Sequence, residues 1–396
     1  SSDLGSQINE YSLVPLNSVC DLIGGATPSK TNDAYWLGGC VKWISSRHID
    51  ELGNVVGSEY ITERAISETS TGIAPKDSVI LISRVSVGKY AYANEPFAIN
   101  QDLTALVSKN QQILHPKFLF ALARRLAVTV ESSAQGIGVR GVTRAFLADL
   151  KIPLPPLEVQ HQIVAEIQGY QKVIDGARQV VDNYKPNIAI DPAWATVFVG
   201  DVASIRSGGT PDRSNSDYWG GDIPWIKTGQ IDFKRIDSAE EFITQAGLAN
   251  SAARMVPAGT ILMAMYGQGV TRGRVAILGI DATTNQACAA IEVTADTLEK
   301  DFLYWSLVGK YEELRAVSEA RGGNQSNLNA QLIRDVQIPL PDLETQRTIV
   351  AEIEAEQALV NANRELIRRM EAKIKTAIDR VWGAAPTSAC SEPPTC

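Results

Sequence analysis

The sequence is poor in the features that mark membrane, secreted and metal-binding proteins. No stretch approaches about eighteen uninterrupted apolar residues, and the N-terminus, SSDLGSQINEY, lacks the basic and then apolar layout of a signal peptide. The five cysteines never form a C-x-x-C pair, which argues against a disulfide framework and against a zinc site. These absences predict a cytoplasmic protein with free thiols and no membrane association.

The motifs of common catalytic sites are also missing. No G-x-x-x-x-G-K-[ST] occurs, because VGKY has Ser83 where the leading glycine belongs and Tyr90 where the Mg²⁺-binding Ser or Thr belongs. The N-P-P-[FY] and D-P-P-Y signatures of amino-methyltransferases are absent. The three histidines, His48, His115 and His161, are widely separated. We therefore predict a chain with no catalytic, cofactor-binding or metal site.

An excess of basic residues, typical of simple nucleic-acid binders, is missing too. The formal net charge is −8, whereas contact with phosphates favours Lys and Arg. Residues 12–152 hold 14 Lys plus Arg against 12 Asp plus Glu, a net of +2, and residues 196–338 hold 13 against 17, a net of −4. Any DNA binding must therefore depend on local patches or on partner proteins.

What the sequence does contain is a duplication. IPLPPLEVQHQIVAEI (152–167) and IPLPDLETQRTIVAEI (338–353) agree at twelve of sixteen positions across a shift of 186 residues. The elements G-x-T-P, Y-W, W-I and N-Q precede both copies in the same order. Each repeat of roughly 185 residues is far longer than a solenoid unit of about 20 to 50 residues. Duplicated domains are therefore predicted.

Each repeat mixes the two types of secondary structure. SVILIS (78–83) and GTILMAMYG (259–267) are short apolar runs typical of strands, whereas HPKFLFALARRL and KDFLYWSLVGKYEELRAV have the pattern of helices. The predicted fold class is α+β.

A long helix follows each I-P-L-P motif. Proline and glycine nearly vanish from Leu157 to about Lys185 and from Leu343 to about Trp382, apart from Gly169 and Gly176. Apolar residues recur every seven positions, which predicts that the two helices pack along their length as a coiled coil. At 1.5 Å per residue they would be roughly 40 and 60 Å long. The predicted seam residues are Ile163, Ile167, Tyr170, Ile174 and Val181 in the first helix, and Ile349, Ile353, Val360, Ile367, Met370, Ile374 and Val381 in the second.

With these motifs in this order, twice, residues 11–383 resemble the specificity subunit of type I restriction-modification enzymes. The proline-to-helix junction is the most specific part of the resemblance. The family implies two globular target recognition domains, joined by two long antiparallel helices that form a coiled coil. Each domain would read one half of a split DNA sequence.

The resemblance also implies partners. The family's specificity subunit is not catalytic and recruits methyltransferase (M) and restriction (R) subunits, so S-adenosylmethionine, ATP and Mg²⁺ would be bound by those partners and not by this chain. By analogy, residues 1–156 and 188–342 are the recognition domains, 157–187 and 343–383 the spacer helices, and 384–396 a disordered tail. The first helix departs from the family pattern because it is shorter than the second.

Candidate DNA-binding residues are expected in loops where the two copies differ, because base edges are read by side chains that scaffolds leave free. The first loop follows G-x-T-P and runs past W-I, the second follows the apolar strand, and the third is rich in glycine. In copy one they contain Lys30, Ser46, Arg47 and His48, then Arg84 and Lys89, then Gln135, Arg140 and Arg144. In copy two they contain Arg213, Lys227, Thr228 and Gln230, then Tyr266, Gln268, Arg272 and Arg274, then Arg321, Asn324, Gln325 and Asn327.

Residues that recur in both copies are interpreted differently. Trp36, Trp43, Trp219 and Trp225 are assigned to packing, and the pairs Asn100-Gln101 and Asn285-Gln286 to structure, because the two domains should read different half-sites. An alternative of another class remains open, namely a duplicated protein-interaction scaffold dimerised through its coiled coil. The acidic balance favours it slightly, and the salt dependence of binding would separate the two.

Overall fold

The structure, a computed structural model, describes residues 11–136, 140–267, 270–320 and 327–382. The chain divides into two compact units. Unit 1 comprises residues 1–179 and 364–396, and unit 2 comprises residues 180–363. Both unit boundaries fall within the long helices, so each unit holds part of both.

Unit 1 follows the mixed pattern that the sequence predicts. Its elements up to the first long helix are β1 (Leu13–Pro15), α1 (Leu16–Val19), β2 (Cys20–Gly24), β3 (Val41–Ile44), β4 (Glu59–Ile61), α2 (Glu63–Glu68), β5 (Ile73–Ala74), β6 (Val79–Ile82), β7 (Tyr90–Tyr92), β8 (Phe97–Ile99), β9 (Leu103–Ser108), α3 (Pro116–Ser133), α4 (Arg144–Asp149), β10 (Lys151–Pro153) and α5 (Leu157–Asn183).

Two four-stranded sheets form the body of unit 1. Their strand orders are β2-β9-β6-β7 and β4-β3-β8-β5, and β1 pairs with β10 beside them. All four residues of β6 are buried, because this strand is central in its sheet and covered on both faces. The helix α3 begins with Pro116 and buries Phe118, Leu122 and Leu126 on one side. That spacing forms a continuous apolar stripe against the sheet.

Unit 2 repeats this order. Its elements are β11 (Thr196–Phe198), α6 (Val199–Val202), β12 (Ala203–Ser207), β13 (Trp219–Ile226), β14 (Arg235–Ile236), β15 (Glu241–Ile243), α7 (Gln245–Ala249), β16 (Ile261–Ala264), β17 (Val275–Leu278), β18 (Thr283–Thr284), β19 (Cys288–Val293), α8 (Lys300–Gly309), α9 (Tyr311–Ala320), α10 (Ala330–Arg334), β20 (Gln337–Pro339) and α11 (Leu343–Trp382).

The sheets of unit 2 match those of unit 1 in the order of the strands that both units contain. The orders β12-β19-β16-β17-β14 and β15-β13-β18 correspond to those above, and β11 pairs with β20 as β1 does with β10. The short strand β14 is an addition at one sheet edge. The place of β5 is taken by an isolated bridge between Val256 and Ala282. The predicted duplication is therefore confirmed at the level of strand pairing.

One predicted helix is in fact two. The segment KDFLYWSLVGKYEELRAV forms α8 and α9, which are separated at Lys310. Lys310 closes α8, and its backbone N–H is shared among carbonyls of the preceding turn. The corresponding helix of unit 1, α3, is continuous over 18 residues. Gly309 lies beside the break, and glycine is a weak helix former.

The two long helices begin where the motif predicts. Both start at the leucine of P-x-L-E-x-Q, and they end at Asn183 and Trp382. The first helix therefore stops short of the predicted Lys185. Asp342 caps α11 by accepting a hydrogen bond of 2.9 Å from the Thr345 backbone, and this bond lowers the pKa of the Asp342 carboxyl. Copy one has Pro156 at the corresponding position and so lacks that cap.

The helices run antiparallel within unit 1. Arg380 of α11 pairs with Glu166 of α5, and Arg178 of α5 lies 2.9 Å from Glu371 of α11. Residue numbers thus rise along one helix as they fall along the other. In unit 2, the Tyr184 hydroxyl, just beyond α5, lies 3.1 Å from a carboxylate oxygen of Glu356 in α11. The predicted fold class, α+β with two long antiparallel helices, is confirmed.

The predicted seam positions lie on the covered side of these helices. In unit 1, Ile163, Ile174 and Val381 are buried, and Ile167, Tyr170, Ile367, Met370 and Ile374 are partly buried. In unit 2, Ile353 and Val360 are buried, and Val181 and Ile349 are partly buried. The last turns of α11 also reach the core of unit 1, where the Arg125 guanidinium lies 4.6 Å from the ring centre of Trp382.

In the described part of the chain, no helix combines the length and apolarity needed to cross a membrane. Across the same residues, no three His, Cys, Asp or Glu side chains are grouped as a metal site would require. Cys20, Cys40 and Cys288 are free thiols, and burial raises the pKa of Cys20 and of Cys288 to about 12.

Candidate nucleic-acid interface

The glycine of G-x-T-P sets the position of the first loop in both units. A Cβ at residue 25 would lie 1.9 Å from the carbonyl oxygen of Ile99, and one at residue 208 would lie 2.1 Å from that of Thr284. Only glycine permits this approach of two backbones. The loop is therefore held against the strand that precedes the N-Q pair, by the same contact in each copy.

The threonine of G-x-T-P adds a second shared contact. The Thr27 hydroxyl donates to the Gln101 amide oxygen at 2.7 Å, and Thr210 makes the same bond to Gln286. This contact supports the structural interpretation of the two N-Q pairs. Because the bond joins residues that recur together, G-x-T-P and N-Q form one unit of the scaffold.

The recurring tryptophans form a third shared contact. Trp43 and Trp225 are buried, and their indole N–H groups donate to the carbonyls of Ala26 and Gly209 at 3.1 and 3.0 Å. Each stacks edge-on against its partner, Trp36 or Trp219. The assignment of these tryptophans to packing is confirmed.

The first cation of each first loop lies over this tryptophan pair. The Lys30 ammonium is 3.6 Å from the ring centre of Trp36, and the Arg213 guanidinium is 3.7 Å from that of Trp219. Lys30 pairs with Glu59, and Arg213 pairs with Glu241. Lys30 and Arg213 therefore occupy equivalent places, and a shared cation suits a phosphate better than a base that differs between half-sites.

Each of the two glutamates, Glu59 and Glu241, also pairs with a second cation. The second cation comes from non-equivalent sequence positions in the two units. Glu59 also pairs with Arg47, and Glu241 also pairs with Lys227, which lies 3.3 Å away. The hydrogen bond from Arg213, with help from Lys227, lowers the pKa of Glu241. For Glu59, burial raises the pKa, but the bond from Lys30 and the charge of Arg47 outweigh it and the pKa is lowered.

The rest of the first loop differs between the units. Ser46, Arg47 and His48 form a 3₁₀ turn in unit 1, and Thr228, Gly229 and Gln230 form the matching turn in unit 2. The ring of His48 accepts a hydrogen bond of 3.0 Å from the Ser45 backbone. Gln230 instead donates to the Ser238 carbonyl at 3.2 Å. The turn thus carries a charged and an aromatic side chain in unit 1, and a glycine and an amide side chain at the equivalent positions of unit 2.

Burial governs the titration of His48. Burial, followed by the charge of Arg47, lowers the pKa of His48 below its ordinary value of 6.5, despite an opposing effect of Glu59. The imidazole is therefore neutral at pH 7. Nδ1 accepts the Ser45 backbone N–H, and Nε2 lies 3.3 Å from the Arg47 Nε–H donor, so both ring nitrogens are engaged within the turn.

The second loop presents different cations in the two units. In unit 1, Lys89 lies 2.6 Å from Glu51, and Arg84 is exposed. In unit 2, Arg274 lies 2.6 Å from Asp232, and Arg272 is almost fully buried, 3.1 Å from Glu319. The burial of Arg272 gives it a structural role and argues against base contact. Tyr266 is 41% exposed, and Gln268 lies outside the described residues.

The second and third loops of unit 1 meet through their backbones. The backbone of Gly141 forms isolated antiparallel β-bridges with Arg84 and with Gln135. The Val85 N–H also donates to the Arg140 carbonyl at 3.0 Å. The third loop also approaches the first, because a Cβ at Gly24 would lie 1.7 Å from the Arg144 guanidinium. Unit 1 therefore joins Arg84 of its second loop to Gln135 and Arg140 of its third at one exposed backbone junction, and Arg144 lies beside Gly24, just before the first loop.

The third loop of unit 2 is only partly described. Asn327 is half-buried and precedes Leu328, whose backbone N–H donates to the Met265 carbonyl at 3.0 Å. The second and third loops thus approach each other here as in unit 1. The candidates Arg321, Asn324 and Gln325 lie outside the described residues.

Sequence reasoning missed the role of the repeated glutamine in I-P-L-P-x-L-E-x-Q. Gln160 is fully buried; its amide donates to the carbonyls of Ile113 and Pro155 and accepts the backbone N–H of His115, all at 2.8 to 2.9 Å. Gln346 makes the same three bonds, to Thr297, Pro341 and Glu299. Its identity in both copies was the available signal. Each glutamine fastens the start of a long helix to its own globular unit.

Comparison with known proteins identifies the protein family of this chain. Residues 9–179 and 192–374 match the family model of the type I restriction modification DNA specificity domain, so the chain belongs to that family and carries two copies of the domain.

Particular relatives support this. The chain is 20% identical over 333 residues to the type I restriction enzyme MjaIX specificity subunit of Methanocaldococcus jannaschii, covering 76% of this chain and 77% of that protein. A chain from a study of complex assembly and conformational transition of the type I R-M system shares its fold, with a TM-score of 0.62, 21% identity, and coverage of 94% and 97%. A type I S subunit from M. genitalium has a TM-score of 0.54, 15% identity, and coverage of 97% and 99%.

Proposed function

We propose that this chain is the non-catalytic DNA-recognition subunit of a type I restriction-modification complex, acting in the cytoplasm. Each unit would read one half of a bipartite target, and the long helices would fix the gap between the halves. One observation carries the proposal: the two units share scaffold contacts residue for residue, while the exposed loops on that scaffold differ. Such a design suits two readers of different half-sites.

The domain limits belong to the same proposal. Residues 1–156 and 188–342 would be the recognition domains, and 157–187 and 343–383 the spacer segments. Asp342 caps α11 where the helix begins. Gln160 and Gln346, here called the glutamine clamps, fasten the start of each long helix to its globular unit. Both features support a boundary between recognition domain and spacer helix at each I-P-L-P motif. The tail, 384–396, lies outside the described residues.

The proposed partners follow from the relatives. A structural neighbour comes from work on type I complex assembly, and by analogy this chain would recruit methyltransferase and restriction subunits. S-adenosylmethionine, ATP and Mg²⁺ would then be bound by those partners. The exposed cations Arg47, Arg84 and Arg144 support contact with double-stranded DNA.

A binding experiment tests the proposal. The chain co-purified with its methyltransferase partner should bind one duplex sequence tightly, with affinity that falls steeply as salt is added. The chain alone should bind weakly. Equal binding to all duplexes would contradict sequence recognition. Binding partners other than DNA, held without salt dependence, would favour the protein-interaction scaffold.

A spacer experiment tests the role of the helices. One heptad inserted after Ile174 and another after Ile374 would preserve the seam and lengthen both helices by about 10 Å. The unspecified gap in the methylated sequence should grow by about three base pairs, at about 3.4 Å each. A functional variant with an unchanged gap would show that the helices do not set the distance.

A further inference from the structure

A cationic pocket lies in unit 2, beside the close contact of Gly208 with Thr284 that positions the first loop. It is formed where the end of β12 meets the segment before Pro257. Its lining includes Arg206, Gly208, Arg254 and Thr284. None of these residues was among the sequence-based candidates, because Arg206 and Gly208 precede the first loop, and Arg254 and Thr284 lie outside all three loops.

The charges of the pocket do not cancel. Arg206 pairs with Glu292. Within the described ranges, no carboxylate lies in ion-pair distance of Arg254, which is exposed. Two guanidinium groups and one carboxylate leave the pocket positive. Because guanidinium is planar and has five N–H donors, it binds oxyanions through paired hydrogen bonds.

A buried hydroxyl adds a further donor. Thr284 is fully buried, and its Oγ1 has no hydrogen-bond partner among the residues that the structure describes. A Cβ at Gly208 would lie 2.2 Å from this oxygen, so only glycine allows the two residues that line the pocket to come this close. Buried polar atoms without a partner are rare in folded proteins, and each calls for an explanation. A ligand oxygen held by the two arginines would provide one.

The corresponding place in unit 1 lacks all three donors. TGIAP (71–75) aligns with ARMVP (253–257), and the pairing of Ala74 with Phe97 matches that of Val256 with Ala282. On this alignment Gly72 replaces Arg254. Ile23 replaces Arg206, and Ile99 replaces Thr284. The shared scaffold therefore does not need these donors, and their presence in unit 2 alone points to a ligand.

We propose that this pocket binds a backbone phosphate of the DNA half-site read by unit 2. The inference depends on the proposed function, because it assigns a contact to the same DNA. A tetrahedral phosphate can accept from Arg206, Arg254 and a hydroxyl at once, whereas a base edge offers its acceptors in one plane. The contact fixes the position of the duplex on unit 2 and carries no base preference.

The test uses the full chain in complex with its methyltransferase partner and a duplex that carries the methylated sequence. Four variants are compared with the parent, namely Arg254→Ala, Arg254→Lys, Thr284→Val and Arg235→Ala. Arg235 is the matched control, because it is an exposed arginine of the same unit on β14, at the opposite edge of the sheet from β12. Affinity is measured at several salt concentrations, and thermal stability is measured for each variant.

The expected results separate a phosphate contact from a fold defect. Arg254→Ala should weaken binding about tenfold and reduce the slope of log affinity against log salt by about 1, without changing the methylated sequence. Arg254→Lys should retain the slope, since lysine also binds phosphate. Thr284→Val should weaken binding severalfold while thermal stability stays the same or rises. Arg235→Ala should bind as the parent does.

Three outcomes would overturn the proposal. Equal affinity of Arg254→Ala and Arg235→Ala would show that the pocket does not touch DNA, while the parent's own binding would leave the proposed function intact. A changed methylated sequence in Arg254→Lys would indicate base contact. If inorganic phosphate stabilised the parent but not Arg254→Ala, and DNA affinity were unaffected, the pocket would hold a free anion only. A parent that binds no DNA would refute the proposed function itself.

Discussion

Units 1 and 2 agree in the contacts that hold the loops and differ in what the loops display. Gly25 and Gly208 make the same close approach, and Gln160 and Gln346 make the same three hydrogen bonds. In contrast, the 3₁₀ turn of unit 1 ends in His48, and the equivalent turn of unit 2 ends in Gln230. The comparison separates residues that build the domain from residues that are free to change with the target.

The comparison of the units also separates cations that both units share from cations that only one unit has. Lys30 and Arg213 are equivalent, each with a tryptophan and a glutamate as neighbours. Arg47 has no equivalent cation at its position in unit 2, where Gly229 occupies the matching turn. We therefore expect Lys30 and Arg213 to set general affinity and Arg47 to contribute to the difference between the two half-sites.

The largest expected effect concerns the G-x-T-P glycines. Gly25→Ala and Gly208→Ala would each place a Cβ about 2 Å from a backbone carbonyl, and each should lower the free energy of unfolding by roughly 4 kcal/mol or abolish folding. Gly169→Ala is the control, because nothing lies within 4 Å of its Cβ; it should stabilise α5 by up to about 1 kcal/mol. Denaturant unfolding measures all three. A tolerated Gly208→Ala would break the equivalence of the units.

The next effect concerns the glutamine clamps. Gln160→Ala and Gln346→Ala each remove the partner of one buried and two part-buried backbone groups, so each should cost about 3 kcal/mol. Gln168→Ala, at an exposed position of α5, should change stability by less than about 0.5 kcal/mol. Denaturant unfolding should show similar losses of unfolding free energy for Gln160→Ala in unit 1 and Gln346→Ala in unit 2. A large loss in one copy only would mean that the clamps are not equivalent.

The long helices and the buried glutamines differ in how far the sequence predicts them. The helices were predictable because proline, heptad spacing and low glycine content are local signals that need no tertiary contact. The glutamine clamp was not, because Gln160 bonds to Ile113 and His115, more than forty residues earlier in the chain. The repeat marked Gln160 as shared without showing what it touches.

The candidate interface was predictable as a set of loops but not in its charges. The sequence placed Lys30, Arg47 and Lys227 in the first loops, yet did not show that Glu59 and Glu241 pair with them from another strand. The break at Lys310 and the extra strand β14 were likewise missed. Each depends on how distant segments meet, which local propensity does not record.

A third prediction contrasts an unshared cation with a shared one. Arg47→Ala should relax discrimination at one base of the unit 1 half-site, by a factor of about 5 to 100 in relative affinity. Lys30→Ala should instead weaken binding to all duplexes by a similar factor and lower the salt slope by about 1. Competition binding with single-base variants of the target distinguishes them. The reverse pattern would mean that the shared cation reads sequence.

The smallest effect concerns His48. The pKa of His48 is lower in the folded protein than in the unfolded chain, so the unfolded chain binds the proton more readily. The contribution of His48 to stability is therefore fully present above pH 6.5 and decreases as the pH falls below that value. His48→Gln copies the residue of unit 2 and should remove this part of the pH dependence. Thermal unfolding at pH 5 and pH 7.5 measures the change. His115, whose pKa burial also lowers, remains in both proteins as an internal control.

The most direct test is the methylation pattern of a host that expresses this chain with its methyltransferase partner. Two different readers held at a fixed distance predict one split sequence, with unlike halves and a constant unspecified gap. A chain in which residues 188–342 are replaced by a second copy of residues 1–156 should convert that sequence to two identical halves. A continuous sequence, a variable gap, or halves that do not follow the exchanged unit would contradict the account.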